Sequence, residues 1–449
     1  MNMKKIAILG AGESGAGTAI LAKKQGYNVF VSDMGTIQDK YKTLLDSHGI
    51  DWEEGKHTEA LILDADEVVK SPGIPDTAPL VKMLIEKGTP ILAELEFAQR
   101  YSHGKTVCIT GSNGKTTTTS LIYYIMRKAG LDVGLAGNIG RSYALQVATE
   151  DHDWYVLEIS SFQLDNMFSF RADISVLMNI TPDHLDRYGF DVLGNGVTPM
   201  QNYTDSKMRI IQNQTEDDIF VYWKEDEHIT EELRKRVLGY APQPTPSSRP
   251  ANDGNPSLYA FVDSDFDDME LEFSQMGQHN RRNALAAYLA TRSVGVDEAL
   301  VRQCLKDFPG VEHRLERVEE KDGVLYINDS KATNVDACFV ALKAMDRPTV
   351  LIVGGKDKGN DYSAITDIVK EKCRAVVYLG ADNAKLHDSF DALGLPVADT
   401  HSMKDCVEAC RSLAQPGDCV LLSPCCASFD LFKNMEDRGE QFKTLVREM

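Results

Sequence analysis

Short, almost wholly apolar runs recur along the chain, separated by amphipathic stretches. Lys5 to Leu9, Asn28 to Ser32, Thr106 to Ile109, Trp154 to Ile159 and Ile174 to Asn179 are the earlier ones; Val324 to Asn328, Thr349 to Val353, Ala375 to Gly380 and Cys419 to Leu422 follow later. Such runs predict strands buried on both faces, as in parallel sheets. Between them the apolar residues step by three and four. Leu121, Ile122, Ile125 and Met126 fall on one face of a helix that opens at about Lys115. Leu92 to Tyr101 and the alanine-rich Asn283 to Ser293 read as further helices. Repeated strand–helix alternation predicts an α/β fold. Asp226 to Asn255 is polar and carries Pro242, Pro244, Pro246 and Pro250, so most of it reads as a surface loop between strands. Around Phe308-Pro309-Gly310 the pattern resets, which marks a domain boundary.

One stretch organises the rest: Gly111-Ser112-Asn113-Gly114-Lys115-Thr116-Thr117, lying between an apolar strand and a helix. Strand, glycine turn and helix N-terminus form a phosphate cradle. Backbone N–H groups point at the anion, the helix dipole adds positive potential, Lys115 neutralises charge and Thr116 reaches a Mg²⁺. The first glycine of the general P-loop spacing would fall at Ile109, so the turn is a shortened variant. The bland alternative is a glycine turn before an ordinary helix. A strand before Gly111, and Lys and Thr directly after Gly114, favour an ATP site.

The N-terminal segment reads strand, Gly10-Ala11-Gly12-Glu13-Ser14-Gly15, helix, strand, then Asp33. This is the dinucleotide fingerprint in its βαβ setting. It suits NAD, and a UDP-sugar equally: a diphosphate on a helix N-terminus and a carboxylate near a sugar. Ser71-Pro72-Gly73 ends another strand, where ligands bind in open α/β sheets, although turn chemistry alone also explains it. Glu158 and His184 both lie near strand ends, on the edge that carries the P-loop. An acid and an imidazole there suit a metal or a substrate carboxylate; for His184 a local hydrogen bond at a helix start is the plain alternative. Asn280 and Asn283, at i and i+3, share a helical face that could read an adenine edge, unless Asn280 is a cap.

Composition narrows the partners. A chain of 449 residues is too long for one core, and about three domains are expected. A formal net charge of −20 argues against nucleic acid or an anionic membrane as partner. No apolar run is long enough for a membrane helix or a signal peptide, so a cytoplasmic protein is expected. Nine cysteines without a C-x-x-C indicate reduced thiols.

Taken together, these residues resemble the Mur ligase family of peptidoglycan synthesis over the whole chain. Thr110-Gly111-Ser112-Asn113-Gly114-Lys115-Thr116 is similar to the family's own P-loop. Asn328 to Asn334 (N-D-S-K-A-T-N) and Ser423 to Gly439 (S-P-C-C-A-S-F-D followed by N-M-E-D-R-G) resemble the branch that adds D-glutamate; the branch that adds L-alanine is the nearest competitor. The resemblance implies an N-terminal Rossmann-like domain binding the UDP-substrate (1–93), a central P-loop ATPase-like domain (94–310) and a C-terminal Rossmann-like domain binding the amino acid (311–449). It implies a monomer that takes UDP-N-acetylmuramoyl-L-alanine, D-glutamate and ATP, with two Mg²⁺. Gly12, Ser14, Gly15, Asp33, Ser71, Pro72 and Gly73 would hold UDP. Asn138, Ser160 and Gln163 would contact the muramoyl-alanine arm. Gly111 to Thr117 would hold the ATP phosphates, with Thr116 on one Mg²⁺. Glu158, His184 and Lys207 would organise the second, with Lys207 carbamylated by CO₂. Asn280 and Asn283 would face adenine, and Arg314 and Asp329 would grip ATP. Lys331, Thr333, Lys358 and Ser428 would bind D-glutamate. The third domain would rotate onto the second when nucleotide binds.

Two features depart from that pattern. The stretch from Gly189 to Pro199 is longer than the family implies, and Met435 stands where a phenylalanine is expected against D-glutamate. Carbamylation also carries a cost. Populating the neutral amine of a free lysine at pH 7 takes about 4.6 kcal/mol, unless the site depresses the pKa. The plain alternative is a Lys207–phosphate contact. Two other classes remain in view: an NAD-dependent oxidoreductase, which would leave the P-loop idle, and a non-catalytic nucleotide-responsive binding protein.

Overall fold

A computed structural model describes residues 3–189, 197–236, 256–275, 277–357 and 359–449. The chain forms two compact units, one of residues 1–273 with 281–308 and the other of residues 274–280 with 309–449.

The first unit holds two sheets. β1 (Lys5–Leu9), β2 (Asn28–Asp33), β3 (Asp51–Glu54), β4 (Glu67–Lys70) and β5 (Ile91–Leu92) form a parallel sheet in the order β3-β2-β1-β4-β5. The order reverses beside β1, so the turns after β1 and β4 open the crevice where ligands bind in such sheets. The second sheet contains β6 (Lys105–Thr110), β7 (Val133–Gly137), β8 (Trp154–Glu158), β9 (Ile174–Leu177), β10 (Ile219–Trp223) and β11 (Ser257–Phe261). Its order is β11-β10-β9-β6-β8-β7, all parallel. The strand before the P-loop is therefore flanked by β9 and β8, whose ends carry the Asn179 to His184 turn and Glu158. One core runs through both sheets, from Ile6, Ile8 and Val31 to Cys108, Tyr143 and Leu157.

The second unit is built on β12 (Glu316–Lys321), β13 (Val324–Asn328), β14 (Thr349–Gly354), β15 (Cys373–Leu379), β16 (Val397–Thr400) and β17 (Cys419–Cys425). The order is β12-β13-β17-β14-β15-β16. Five strands are parallel, but β12 pairs antiparallel with β13. The strand–helix alternation thus gives a parallel sheet, to which β12 adds an antiparallel edge. Glu316 to Lys321 is too charged to read as a buried strand, and it lies on an edge where charge is tolerated. Its signal was the turn: Asp322 and Gly323 both have positive φ, the D-G hairpin signature.

Other expectations also shift. Ile91–Leu92 is a strand and the helix behind it is only Glu94–Gln99. Within Asp226 to Asn255, Glu227–Arg236 is a helix; Ile229 and Leu233, at i and i+4, bury its inner face. The proline-rich residues 237–255 lie outside the described residues, as does most of the Gly189 to Pro199 excess. The alanine-rich helix starts earlier than expected, as Gln278–Val294. All nine cysteines are unbridged and buried.

Candidate active site

In the first unit, β6 ends at Thr110 and the chain turns through Gly111 (φ +146°) and Gly114 (φ +85°). Both turns are crowded as well as left-handed. A Cβ on Gly111 would lie 2.9 Å from the Cβ of Met178, and one on Gly114 would lie 2.4 Å from Asn283 Oδ1. The helix Lys115–Lys128 that follows has Gly114 as N-cap and no side-chain cap. The positive end of its dipole therefore opens on the glycine turn.

The turn is braced by the neighbouring strand end. Ser112 N–H donates to Asn179 O at 2.9 Å, and Ser112 Oγ donates to Thr181 O at 2.9 Å and bonds Tyr203 OH at 3.0 Å. Asn113 N–H donates to Asn179 Oδ1 at 2.9 Å. The motif reading missed Asn179, Thr181 and Tyr203. Their only signal was polar residues placed directly after a buried strand. Lys115 Nζ donates to the carbonyls of Gly111 (2.8 Å) and Ser112 (3.0 Å). Lys207, 1% exposed on the helix Pro199–Met208, donates to the same Gly111 O at 2.9 Å, with Tyr203's ring 4.6 Å from its Nζ. Burial, and then the positive charge of Lys115, hold the Lys207 amine well below the ordinary lysine pKa.

Glu158 ends β8 with 1% exposure. Asn138 clasps it, with Nδ2 donating to Glu158 Oε1 at 2.7 Å and N–H to Glu158 O at 2.8 Å. Its other oxygen, Oε2, is buried with no hydrogen-bond partner. A buried carboxylate oxygen without a donor is costly, and a cation is the natural remedy. His184 sits in the left-handed region (φ 53°) with a half-exposed ring 5.1 Å from that of Phe162 and 3.5 Å from Asp183. Ser160 and Gln163 hold each other in a capping box, Ser160 N–H donating to Gln163 Oε1 at 2.9 Å. Asn283 is buried against the P-loop helix and accepts from Thr118 Oγ1 at 3.3 Å. Asn280 is the third residue of its helix, not a cap.

At the N-terminal crevice, Gly15 cannot carry a side chain: its Cβ would lie 1.9 Å from Gly10 O. Gly12, the N-cap of helix Glu13–Lys24, faces open space, and that helix also lacks a side-chain cap. Gly10 (φ +95°) abuts Ser71, whose Cβ is 2.8 Å from where a Gly10 Cβ would be, so the Ser71-Pro72-Gly73 turn borders the glycine turn. Asp33 folds back onto the backbone, accepting from Ala11 N–H (2.7 Å) and Gly35 N–H (2.8 Å). Ser14 O accepts from Thr18 Oγ1 at 2.7 Å.

In the second unit, β13, β17 and β14 end side by side. Asp329 is buried after β13, where it accepts from Ser423 Oγ (2.9 Å) and Leu315 N–H (3.1 Å), and burial pushes its carboxyl up to about 7. Arg314 Nε is buried without a hydrogen-bond partner. Lys331 N–H donates to His313 O at 3.0 Å, Thr333 is partly buried and Ser428 is buried. Lys358 lies outside the described residues. Arg438 was missed by the motif reading. At 1% exposure it ties these loops together, donating to Ser330 Oγ (2.9 Å), Ser330 O (2.8 Å) and Cys426 O (3.1 Å). Ser330 Oγ in turn donates to the carbonyl of the partly buried Met435 at 2.8 Å. Glu312, His313 and Glu440 cluster as metal ligands do, but the Lys443 ammonium sits 2.6 Å from both glutamates.

Three domain families match the chain in sequence order. Residues 5–79 match the MurD N-terminal domain, 109–291 the Mur ligase middle domain and 313–426 the Mur ligase glutamate ligase domain. The chain is 58% identical, over 100% of both chains, to the UDP-N-acetylmuramoylalanine–D-glutamate ligase of Bacteroides fragilis. It is 48% identical to the like-named protein of Porphyromonas gingivalis, over 98% of each. The fold matches the solved UDP-N-acetylmuramate–alanine ligase of Thermotoga maritima with a TM-score of 0.58 and 19% identity, covering 100% of both chains. Full-length identity at this level, with a matching domain in each third of the sequence, places the chain in the Mur ligase family.

Proposed function

We propose that the chain is an ATP-dependent amide-bond ligase that joins D-glutamate to UDP-N-acetylmuramoyl-L-alanine, in cytoplasmic synthesis of peptidoglycan precursors. The observation that carries the reaction class is the convergence of Lys115 and Lys207 on Gly111 O at the mouth of a P-loop. The choice of amino acid follows the names of the full-length relatives.

A carboxylate does not accept an amine unaided, because its leaving group would be oxide. Transfer of the ATP γ-phosphoryl group to the L-alanine carboxylate gives an acyl phosphate. The D-glutamate amine attacks its carbonyl, and phosphate leaves from the tetrahedral intermediate. The protein's task is positioning and charge cancellation. The Gly111 to Thr117 turn and the N-terminal dipole of the helix behind it hold the phosphates, and Lys115 neutralises their charge. Asn138, Ser160 and Gln163 orient the muramoyl-alanine arm, while the glycine turn at Gly12 to Gly15 and the Ser71 to Gly73 turn receive UDP. Asn280 and Asn283 serve the adenine end; Arg314 and Asp329 are the ATP contacts that the family resemblance implies. Lys331, Thr333 and Ser428 receive D-glutamate.

The donor set fits Mg²⁺. Thr116 would hold one ion beside the phosphates, and Glu158, with its partnerless buried oxygen, would hold the second together with His184 and a modified Lys207. Bound there, Mg²⁺ supplies charge stabilisation to the phosphoryl oxygens. The depressed Lys207 amine favours its neutral form, the one that attacks CO₂, losing a proton and leaving an anionic carbamate.

The test is phosphate release from ATP with UDP-N-acetylmuramoyl-L-alanine across D-Glu, L-Glu, L-Ala, L-Lys and meso-diaminopimelate. Release with D-Glu alone is expected. Release with another amino acid alone would overturn the D-glutamate assignment and keep the ligase mechanism. No release with any would overturn the reaction.

A further inference from the structure

The glycine turn assigned to UDP lacks a cation of its own. Gly10-Ala11-Gly12-Glu13-Ser14-Gly15 contains one acid and no base. Lys70, buried at the end of β4, is already committed to Asp76 at 3.0 Å and to Ile74 O at 2.7 Å. A diphosphate seated there would keep most of its charge, in a chain whose formal net charge is −20.

The second sheet of the same unit presents a guanidinium at this point. Arg187 lies one turn after His184, and its N–H donates to His184 O at 3.0 Å. Its guanidinium carbon sits 3.9 Å from the centroid of the Phe162 ring, and Nη1 donates to Pro72 O at 3.3 Å. Phe162 is itself stacked on Tyr188 (centroids 6.0 Å apart, 14° between planes), so a second ring backs the platform under the guanidinium. Pro72 belongs to the turn that borders Gly10. Among the described residues Arg187 forms no ion pair, although most other partly buried arginines here do. One carbonyl uses one of its five donors and leaves the planar fork available for a phosphate.

We propose that Arg187 is a substrate-binding residue that supplies the counter-charge to the diphosphate of the UDP-substrate. It would thereby couple seating of that substrate to the His184 turn. This rests on the UDP reading of the glycine turn. Phosphate paired with a stacked arginine is a strong, directional contact, and its loss should cost about 10- to 100-fold in affinity.

The test compares Arg187→Gln and Arg187→Lys with the unaltered protein. Isothermal titration with UDP and with UDP-N-acetylmuramoyl-L-alanine reads binding without catalysis, and steady-state rates give KM for each substrate. Arg187→Gln should weaken both UDP ligands about 10- to 100-fold and flatten the salt dependence of their binding, with KM for ATP and D-glutamate changed less than about threefold. Arg187→Lys should fall between, keeping charge but losing the planar fork. Unchanged UDP binding in Arg187→Gln would overturn the proposal. A lowered melting temperature with all three KM values raised would also overturn it, because that is the result of a structural tie alone. If the unaltered protein binds UDP through Arg187 but shows no turnover with any amino acid, this inference stands and the ligase reading fails.

Discussion

Lys115 and Lys207 donate to one acceptor, the carbonyl oxygen of Gly111, at 2.8 and 2.9 Å. Two ammonium groups cannot share that oxygen cheaply at low dielectric, so one amine must be neutral or must gain an anion. Lys207 is the more buried and is the one whose pKa is depressed. Removal of CO₂ and bicarbonate should therefore lower the rate, and readdition should restore it. Lys207→Ala should lose about 10³-fold or more in kcat and recover part of it with added short-chain carboxylates. A Lys207→Ala enzyme that no carboxylate rescues would favour a plain lysine–phosphate contact.

Glu158 keeps a buried oxygen without a partner, which is a cost carried for function. Glu158→Gln should hold or raise the melting temperature while kcat falls by about 10²- to 10³-fold. Thermal unfolding and Mg²⁺-dependent turnover on the same preparation check both halves. A large fall in melting temperature would mean that the clasp by Asn138 depends on the charge.

Gly15 and Gly12 of the N-terminal turn should separate fold from binding. Gly15→Ala places a Cβ 1.9 Å from Gly10 O and should destabilise by about 2 kcal/mol or more. Gly12→Ala meets nothing within 4 Å, so its melting temperature should stay within about 2 °C, while KM for the UDP-substrate rises because the added methyl occupies the approach of the anion. Equal KM values for Gly12→Ala and the unaltered protein would move the diphosphate elsewhere.

Asp329 gives a pH signature. Its carboxyl is raised to about 7 in the folded protein by burial. A raised acid favours the protonated native state, so its contribution is full below about pH 4, declines as pH rises to about 7 and is flat beyond. The difference in unfolding free energy between the unaltered protein and Asp329→Asn should therefore shift by up to about 4 kcal/mol across that window, against the unaltered protein as pH rises. Denaturant titrations at pH 5 and pH 8 read it. A pH-independent difference would mean that Asp329 stays ionised beside Arg314.

Much of this was legible in the residues alone. Apolar runs placed the strands that centre each sheet, because a strand buried on both faces must be apolar throughout. The glycines at positions 10, 15, 111 and 114 announced their turns, since left-handed φ or a sub-van-der-Waals approach excludes a Cβ. Edge elements were less readable. The strand Glu316–Lys321 and the helix Glu227–Arg236 are charged because water covers one side of them, and charge reads as loop.

Tertiary structure alone decided who meets whom. Strand order in the second sheet brings residues 111, 158 and 179 to one edge, although long segments separate them in the chain. Burial, and not the identity of a lysine, depresses the pKa of Lys207. Arg438 and Arg187 differ only in surroundings: one is enclosed by carbonyls and a hydroxyl, the other lies on an aromatic ring and donates to the Pro72 carbonyl. Motifs name the residue types a reaction needs; packing sets their charge, their reach and the partners they lack.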